Sequence, residues 1–320
     1  MANIFKKKND AVAVSGIQIR KKSLKTRIWE CRHYYLLLLP ALIYVIIFNY
    51  VPMYGLQIAF KNYKVSLGMM DSAWVGFKNF TDFFSGFYFK DLMLNTLVLS
   101  LYSMVIGFPI PIIVALLLNE LGGKFKQSVQ TILYAPHFIS TVVLVGMMNI
   151  LFSPSMGVVN TVLNQLGIES IYFMGDPDYF RHMFVWSGVW QEMGWGAVIY
   201  LAALSSVDPG LHEAASIDGA SRIQRIIHIN LPSITPTIII MLIMRLGRIA
   251  TVAYEKVYLL QNDLNVEVAE VISTYVYKRG IVNNNYSFST AVGLFNNVIN
   301  VAMLLLANYI SKKFSKQSLF

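Results

Sequence analysis

Ionisable residues are spread so unevenly along this chain that its apolar stretches can be read from the gaps between them. Nothing ionised at neutral pH lies between Arg32 and Lys61, Asp91 and Glu120, Lys126 and Glu169, or Arg279 and Lys312, although His33 and His137 fall inside these gaps. A bilayer core about 30 Å thick takes roughly 20 mainly apolar residues per spanning helix, and each gap is long enough. Two further apolar stretches are interrupted, one by Glu192 and the other by Arg245 and Arg248, yet keep flanks of membrane-helix character. The pattern predicts six spans, over about Tyr34–Met53, Leu92–Leu118, Ile132–Phe152, Met183–Val207, Thr235–Tyr254 and Thr290–Ile310. Residues 1–33 then form a basic N-terminal segment, 34–310 a six-helix membrane domain and 311–320 a short tail.

Composition supports an all-α integral membrane protein. Of the 320 residues, 56% are hydrophobic and 13% charged, with a mean hydropathy of +0.54; the charged share is about half that of a soluble domain. The first apolar stretch is too long for a secretion signal and lacks a small-residue cleavage pattern before Lys61, so it is expected to stay in the mature protein. The single cysteine, Cys31, excludes an internal disulfide and any metal site built on several cysteines.

Charge sets the orientation. With six spans and the N-terminus inside, 16 lysines and arginines fall on the inner segments and eight on the outer ones: Lys61, Lys64, Lys78, Lys90, Arg181, Lys256, Lys278 and Arg279. Basic residues near span ends stay on the cytoplasmic side, so both termini are expected in the cytoplasm. The net charge of +9 thus follows membrane topology, and no soluble domain is left to present it to nucleic acid.

The loop between the fourth and fifth spans, 207–233, holds the most information. Asp208 is a good N-cap with Pro209 at the first helical position, Asp218-Gly219 signals a turn, and Pro232 is expected to close a second short helix that begins near Ala220. Small residues at Ala214, Ala215, Gly219 and Ala220 leave a shallow surface, with Leu211, Ile217, Ile223 and Ile226 as apolar anchors. Such a surface suits either docking into another protein's groove or an ordinary helical connector.

The segment resembles the EAA signature of permease subunits of binding-protein-dependent ABC importers, matching at Glu213, Ala214, Ala215, Asp218, Gly219, Ala220, Ile229, Leu231 and Pro232. Shorter motifs are similar to the polysaccharide and alginate branch of the maltose-type permeases: Trp74-Val75-Gly76-Phe77-Lys78-Asn79-Phe80, Asn95-Thr96, Tyr134-Ala135-Pro136-His137-Phe138, Leu260-Gln261-Asn262 and Val271 to Tyr277. The likeness runs over nearly the whole chain beyond the basic N-terminus. It implies a type I ABC importer permease fold in a bacterial cell membrane. It also implies a second homologous permease, an extracytoplasmic solute-binding protein, and two cytoplasmic ATPase subunits that hold ATP and Mg. In that family Glu213 faces a basic residue of the ATPase, whose closure pulls the loop and re-orients the spans. The implied cargo is an oligosaccharide; a non-sugar solute, or a passive channel, is the alternative.

The chain lacks a motor and a catalytic centre of its own. Gly122-Gly123-Lys124 continues with Phe125 and lacks the first glycine of a phosphate-binding loop, and His212-Glu213-Ala214-Ala215-Ser216 has serine where a zinc motif needs its second histidine. A membrane enzyme would need acidic, histidine or serine residues converging at one membrane face, and the sequence offers no such cluster.

The fourth span carries Trp186, Trp190, Gln191, Trp195 and Tyr200, aromatic faces and an amide that suit either a sugar ring or interfacial anchoring. On the sixth, Gly293, Asn296, Asn297 and Asn300 share a helical face that either lines a wet cavity or bonds neighbouring helices. The aromatic run Phe77, Phe80, Phe83, Phe84, Phe87, Tyr88 and Phe89 either receives the binding protein or caps the bundle. Charges at mid-bilayer are expensive and usually paired or turned to a cavity. Glu192 and Arg245 lie at matching depths in antiparallel spans, so Glu192 is expected to pair with Arg245 or Arg248; the alternative is that these arginines attract an acidic sugar such as a uronate.

Overall fold

The computed structural model describes residue 26 and residues 29–315. Most of the basic N-terminal segment and the end of the tail, which enter the orientation count, lie outside the described residues. Among the described residues, those up to Gly55 form one compact unit and those from Leu56 onward another. In the first unit runs most of helix α1 (Arg32–Phe60), long and apolar enough to cross a membrane. Its part Arg32–Val45 contains Pro40, and a π-turn at Ile46–Tyr50 ends two residues before Pro52.

The second unit starts with a small antiparallel hairpin, β1 (Lys61–Lys64) and β2 (Ser72–Trp74), in which Lys61 pairs with Trp74. This is the one departure from an all-helical reading among the described residues. The Lys61 ammonium donates to the Met69 carbonyl at 2.6 Å and lies 4.9 Å from the Trp74 ring centroid. Helix α2 (Lys78–Phe84) follows, and its Phe83 is buried against Phe89, Phe288 and Phe295, while Phe77, Phe87 and Tyr88 stay exposed.

The second predicted span is two helices joined at Phe108, α3 (Phe89–Gly107) and α4 (Pro109–Asn119). The third is not the single helix expected over Ile132–Phe152. It is split into α5 (Gly123–Tyr134) and α6 (Thr141–Leu151), and the two halves are bent by 97°. Pro136 cannot donate to the helix ladder, and Ser140 starts the next helix by accepting from the Val143 N–H at 3.3 Å. Helix α7 (Val158–Gln165) leads to α8 (Pro177–Leu204), whose 28 residues reach about 42 Å at 1.5 Å per residue. Length allows α8 to span, although its tryptophans, Gln191 and charges leave it less apolar than the four helices that pass on both length and composition.

After α9 (Pro209–Ile217) comes α10 (Arg222–Leu246), which overturns two expectations. Pro232 does not close a short helix; the chain runs through it without a break. A π-turn at Ile226–Asn230 precedes it, as one precedes Pro52, and the wider turn moves the facing carbonyl away from the proline ring. The span therefore begins well before Thr235 and ends at Leu246, which leaves Arg248 in the following turn rather than inside the helix. Three short helices, α11 (Tyr254–Leu260), α12 (Val266–Ala269) and α13 (Ile272–Tyr277), precede the 30-residue α14 (Tyr286–Ser315).

Helix α8 is the hub. Its Phe180, Val185 and Val189 pack with Leu99, Leu144, Val145 and Val257 from α3, α6 and α11. Further along, its Ala197, Tyr200 and Leu204 pack with Ile112, Ala115 and Ile234 from α4 and α10. At Gly194 a β-carbon would collide with the Leu133 carbonyl, so glycine lets α5 lie directly on the hub. In lipid such close packing, and not removal of apolar surface from water, holds helices together.

Candidate functional site

Two features stand out, an elbow at one end of the bundle and a cleft beside α8. The elbow begins where the Asp208 carboxylate accepts from the Gly210 N–H at 2.9 Å, capping α9. It turns at Gly219, whose φ of +78° is the left-handed geometry glycine adopts without strain. The Ala220 N–H bonds back to the Ala215 carbonyl at 2.8 Å, the long-range bond of a Schellman ending. Ser221 and Gln224 then form a reciprocal capping box that starts α10. The two arms are tied by Arg225, whose guanidinium donates to Ser216 Oγ at 2.7 Å.

What the elbow presents is apolar and unsatisfied. Ile217 is 87% exposed and Ile223 68%, with Leu211 also outward. Glu213 is exposed and makes no hydrogen bond or ion pair among the described residues. Ala214, Ala215, Asp218 and Ala220 lie on this elbow, whereas Pro232 lies inside the continuous α10.

The cleft, of about 650 Å³, is lined by Gly188, Gln191, Glu192, Arg245, Glu255 and Lys256 among others. A neighbouring cavity of about 480 Å³ shares Arg245 and adds Tyr200 and Arg248. Glu192 does not pair with either arginine. Its Oε2 lies 3.0 Å from His137 Nδ1, at the break between α5 and α6. Arg245 instead donates to the carbonyls of Ser103 at 3.0 Å and Gly107 at 3.2 Å. The reason lies in α4: Pro111 has no N–H to offer Gly107, four residues back, so that carbonyl is available to the guanidinium.

The other predicted pathway residues are dispersed. Gln191 lines the cleft and donates through Nε2 to the Ile139 carbonyl at 2.7 Å. Trp195 stacks flat on His137 with centroids 4.6 Å apart. Trp186 and Trp190 line a separate apolar groove of about 380 Å³ with Met147, Met148 and His182. Tyr200 is buried in the packing of α8 on α4 and α10. Asn300 accepts from the Ala250 N–H at 2.9 Å and donates to Thr251 Oγ1 at 2.8 Å, which ties α14 to the turn after α10. Asn296 also lies on α14, and neither asparagine lines the cleft.

Sequence reasoning missed Lys256 by counting it among the external charges. It lies on α11 as a buried wall of the cleft, with Nζ donating to the Phe184 carbonyl at 2.9 Å. The available signal was its setting, since apart from Glu255 its near neighbours from Val252 to Leu260 are apolar or tyrosine. No group of three potential metal ligands occurs among the described residues.

The inner membrane component of binding-protein-dependent transport systems, as a family, matches residues 94–316, and this chain belongs to that family. The chain is 44% identical over 322 residues to Protein LplB of Bacillus subtilis (strain 168), covering 100% of both. It is 41% identical over 314 residues to the polygalacturonan/rhamnogalacturonan transport system permease protein YteP of the same organism, covering 97% of this chain and 98% of YteP. A crystal structure of a bacterial alginate ABC transporter, in complex with a periplasmic protein bound to an alginate pentasaccharide, contains a chain of similar fold. The TM-score is 0.85 at 41% identity, over 93% of this chain and 100% of that one. The fold is thus the type I permease fold of ABC importers, and the chain is a multi-pass transport component and not an enzyme.

Proposed function

We infer that this chain is one of two membrane-spanning subunits of a bacterial ATP-driven importer. It passes an acidic oligosaccharide handed over by an external binding protein. The observation that carries this reading is the elbow over 207–233, where a fixed turn holds apolar side chains and an unpaired Glu213 outward. That surface suits a cytoplasmic ATPase subunit with a basic residue opposite Glu213. Two such ATPases hold ATP and Mg, and a second, homologous permease completes the pathway. The charge asymmetry supports a cytoplasmic position for both termini.

The acidic cargo is supported by chemistry on both sides. Alginate and polygalacturonan, the cargoes in the relatives' names, are uronate polymers. In this chain the cleft contains Arg245, which bonds only carbonyls among the described residues and keeps other donors to offer. The test is to purify the complex encoded with this chain and measure its ATP hydrolysis with the binding protein and a panel of glycans. Stimulation by an oligouronate is the expected result. Hydrolysis unmoved by any saccharide would sink the sugar reading, and solute flux without ATP would indicate a passive channel.

A further inference from the structure

Lys256 is 6% exposed, yet it faces a cleft and has no carboxylate partner among the described residues. Of its three ammonium donors, one goes to the Phe184 carbonyl. Nζ also lies 5.0 Å from the Phe184 ring centroid, a cation–π arrangement. Two carboxylates line the same cleft. Glu192 is engaged by His137, and Glu255 makes no ion pair with Lys256. A buried ammonium with no carboxylate in ion-pair contact is costly, since the charge of Glu192 reaches it only from beyond that distance, and methionine would fill the same wall without that cost. Charges retained under such conditions inside membrane proteins serve function by default.

The neighbouring helix is shaped around this ammonium. A β-carbon built at Gly188 would lie 3.1 Å from Lys256 Nζ, tighter than ordinary contact, so an alanine there would displace the ammonium by a few tenths of an ångström. Phe184 is four residues before Gly188, and its carbonyl is the usual acceptor of the Gly188 N–H; the lysine shares that acceptor from the cleft side.

We propose that Lys256, seated by the bare backbone at Gly188, makes this cleft prefer acidic over neutral saccharides by offering its unspent donors to a substrate carboxylate. The proposal rests on the oligosaccharide-importer reading and adds the residue that reads the charge. A purely structural lysine, one that only pins α11 to α8, would affect all cargoes alike.

The experiment uses the complete complex in proteoliposomes, with its binding protein, and two probes: an oligogalacturonate and the same oligosaccharide after carboxyl reduction. The readout is the ratio of acidic to neutral uptake. The same binding protein serves every variant, so its own preference cancels when variants are compared. Lys256→Met is expected to lower this ratio roughly tenfold, the size of one charge-assisted hydrogen bond, chiefly through KM for the acidic probe. Lys256→Arg should keep most of the preference. Gly188→Ala should lower the ratio in the natural chain and have no further effect in K256M. Should K256M fail to insert, G188A reads the same ratio alone. An unchanged ratio in these variants, or equal loss of both probes, overturns the role of Lys256 and leaves the importer reading standing. A natural complex that transports neither probe overturns the importer reading itself, and this proposal with it.

Discussion

His137 Nδ1 and Glu192 Oε2 lie 3.0 Å apart, and the same imidazole lies flat on Trp195. One residue away Gln191 donates to the Ile139 carbonyl. Consecutive positions on α8 therefore both hold the segment that joins α5 to α6 at the 97° break. The grip gives the glutamate in the middle of α8 a partner from the broken α5–α6 segment, and not from α10.

The charge exchange that would rescue a Glu192–Arg245 pair is therefore expected to fail. Glu192→Arg removes the His137 contact, and Arg245→Glu puts a carboxylate against the Ser103 and Gly107 carbonyls. The double variant should be at least as impaired as either single one, in uptake and in complex yield from membranes. Recovery above both singles would revive the direct pair.

Removing the imidazole tests the grip. His137→Ala loses both the carboxylate contact and the stack on Trp195. Because both side chains of the pair are partly exposed, the polar contact contributes only about 0–1 kcal/mol, and the ring stack about 0.5–1.5 kcal/mol. The solubilised complex should melt at a lower temperature with H137A than with Glu192→Gln, which leaves the stack in place. Equal melting temperatures would show that the stack contributes nothing.

At the elbow, Gly219→Val forces a β-branched residue into the left-handed region, at about 1–2 kcal/mol. Glu213→Lys reverses the outward charge without touching the turn. Both proteins should insert normally and lose transport; G219V should do so with the ATPase bound less firmly, as read by co-purification. Normal uptake by both would remove the elbow from energy coupling.

Asn300 separates scaffold from pathway. Asn300→Ala strands the buried Ala250 N–H, at about 1–3 kcal/mol, so the complex should melt earlier while its relative uptake of different saccharides stays the same. A changed preference with unchanged melting would place Asn300 on the route of the cargo.

Orientation is open to a chemical test. After Cys31→Ser, a thiol reagent that cannot cross membranes should label a cysteine placed at exposed Ser85 in intact cells, and one at exposed Ser221 only after the membrane is opened. The reverse pattern would invert the whole assignment.

The elbow was legible because its signals are local: Asp208-Pro209 starts a helix and Gly219 ends it whatever surrounds them. Apolar gaps likewise located α1, the α3–α4 pair and α14. What escaped depended on backbone bonding between or within helices. Pro232 reads as a stop unless the preceding π-turn is known. Matching depths suggested a partner for Glu192 that the break at Pro136 and Ser140 replaces with His137. Lys256 was counted with the outer segments, and a charge count does not say whether such a lysine is buried.

The passage of α10 through Pro232 has a mechanical corollary. From Arg222 at the elbow to Arg245 at the cleft the helix is unbroken, an arm of about 35 Å at 1.5 Å per residue. Arg225 ties the foot of this arm to Ser216 of α9. A tilt of about 10° at the foot would sweep the guanidinium through roughly 6 Å, enough to strip it from the Ser103 and Gly107 carbonyls. The proline that reads as a stop in the sequence thus sits within one continuous lever, with the exposed elbow at one end and a cation at the other.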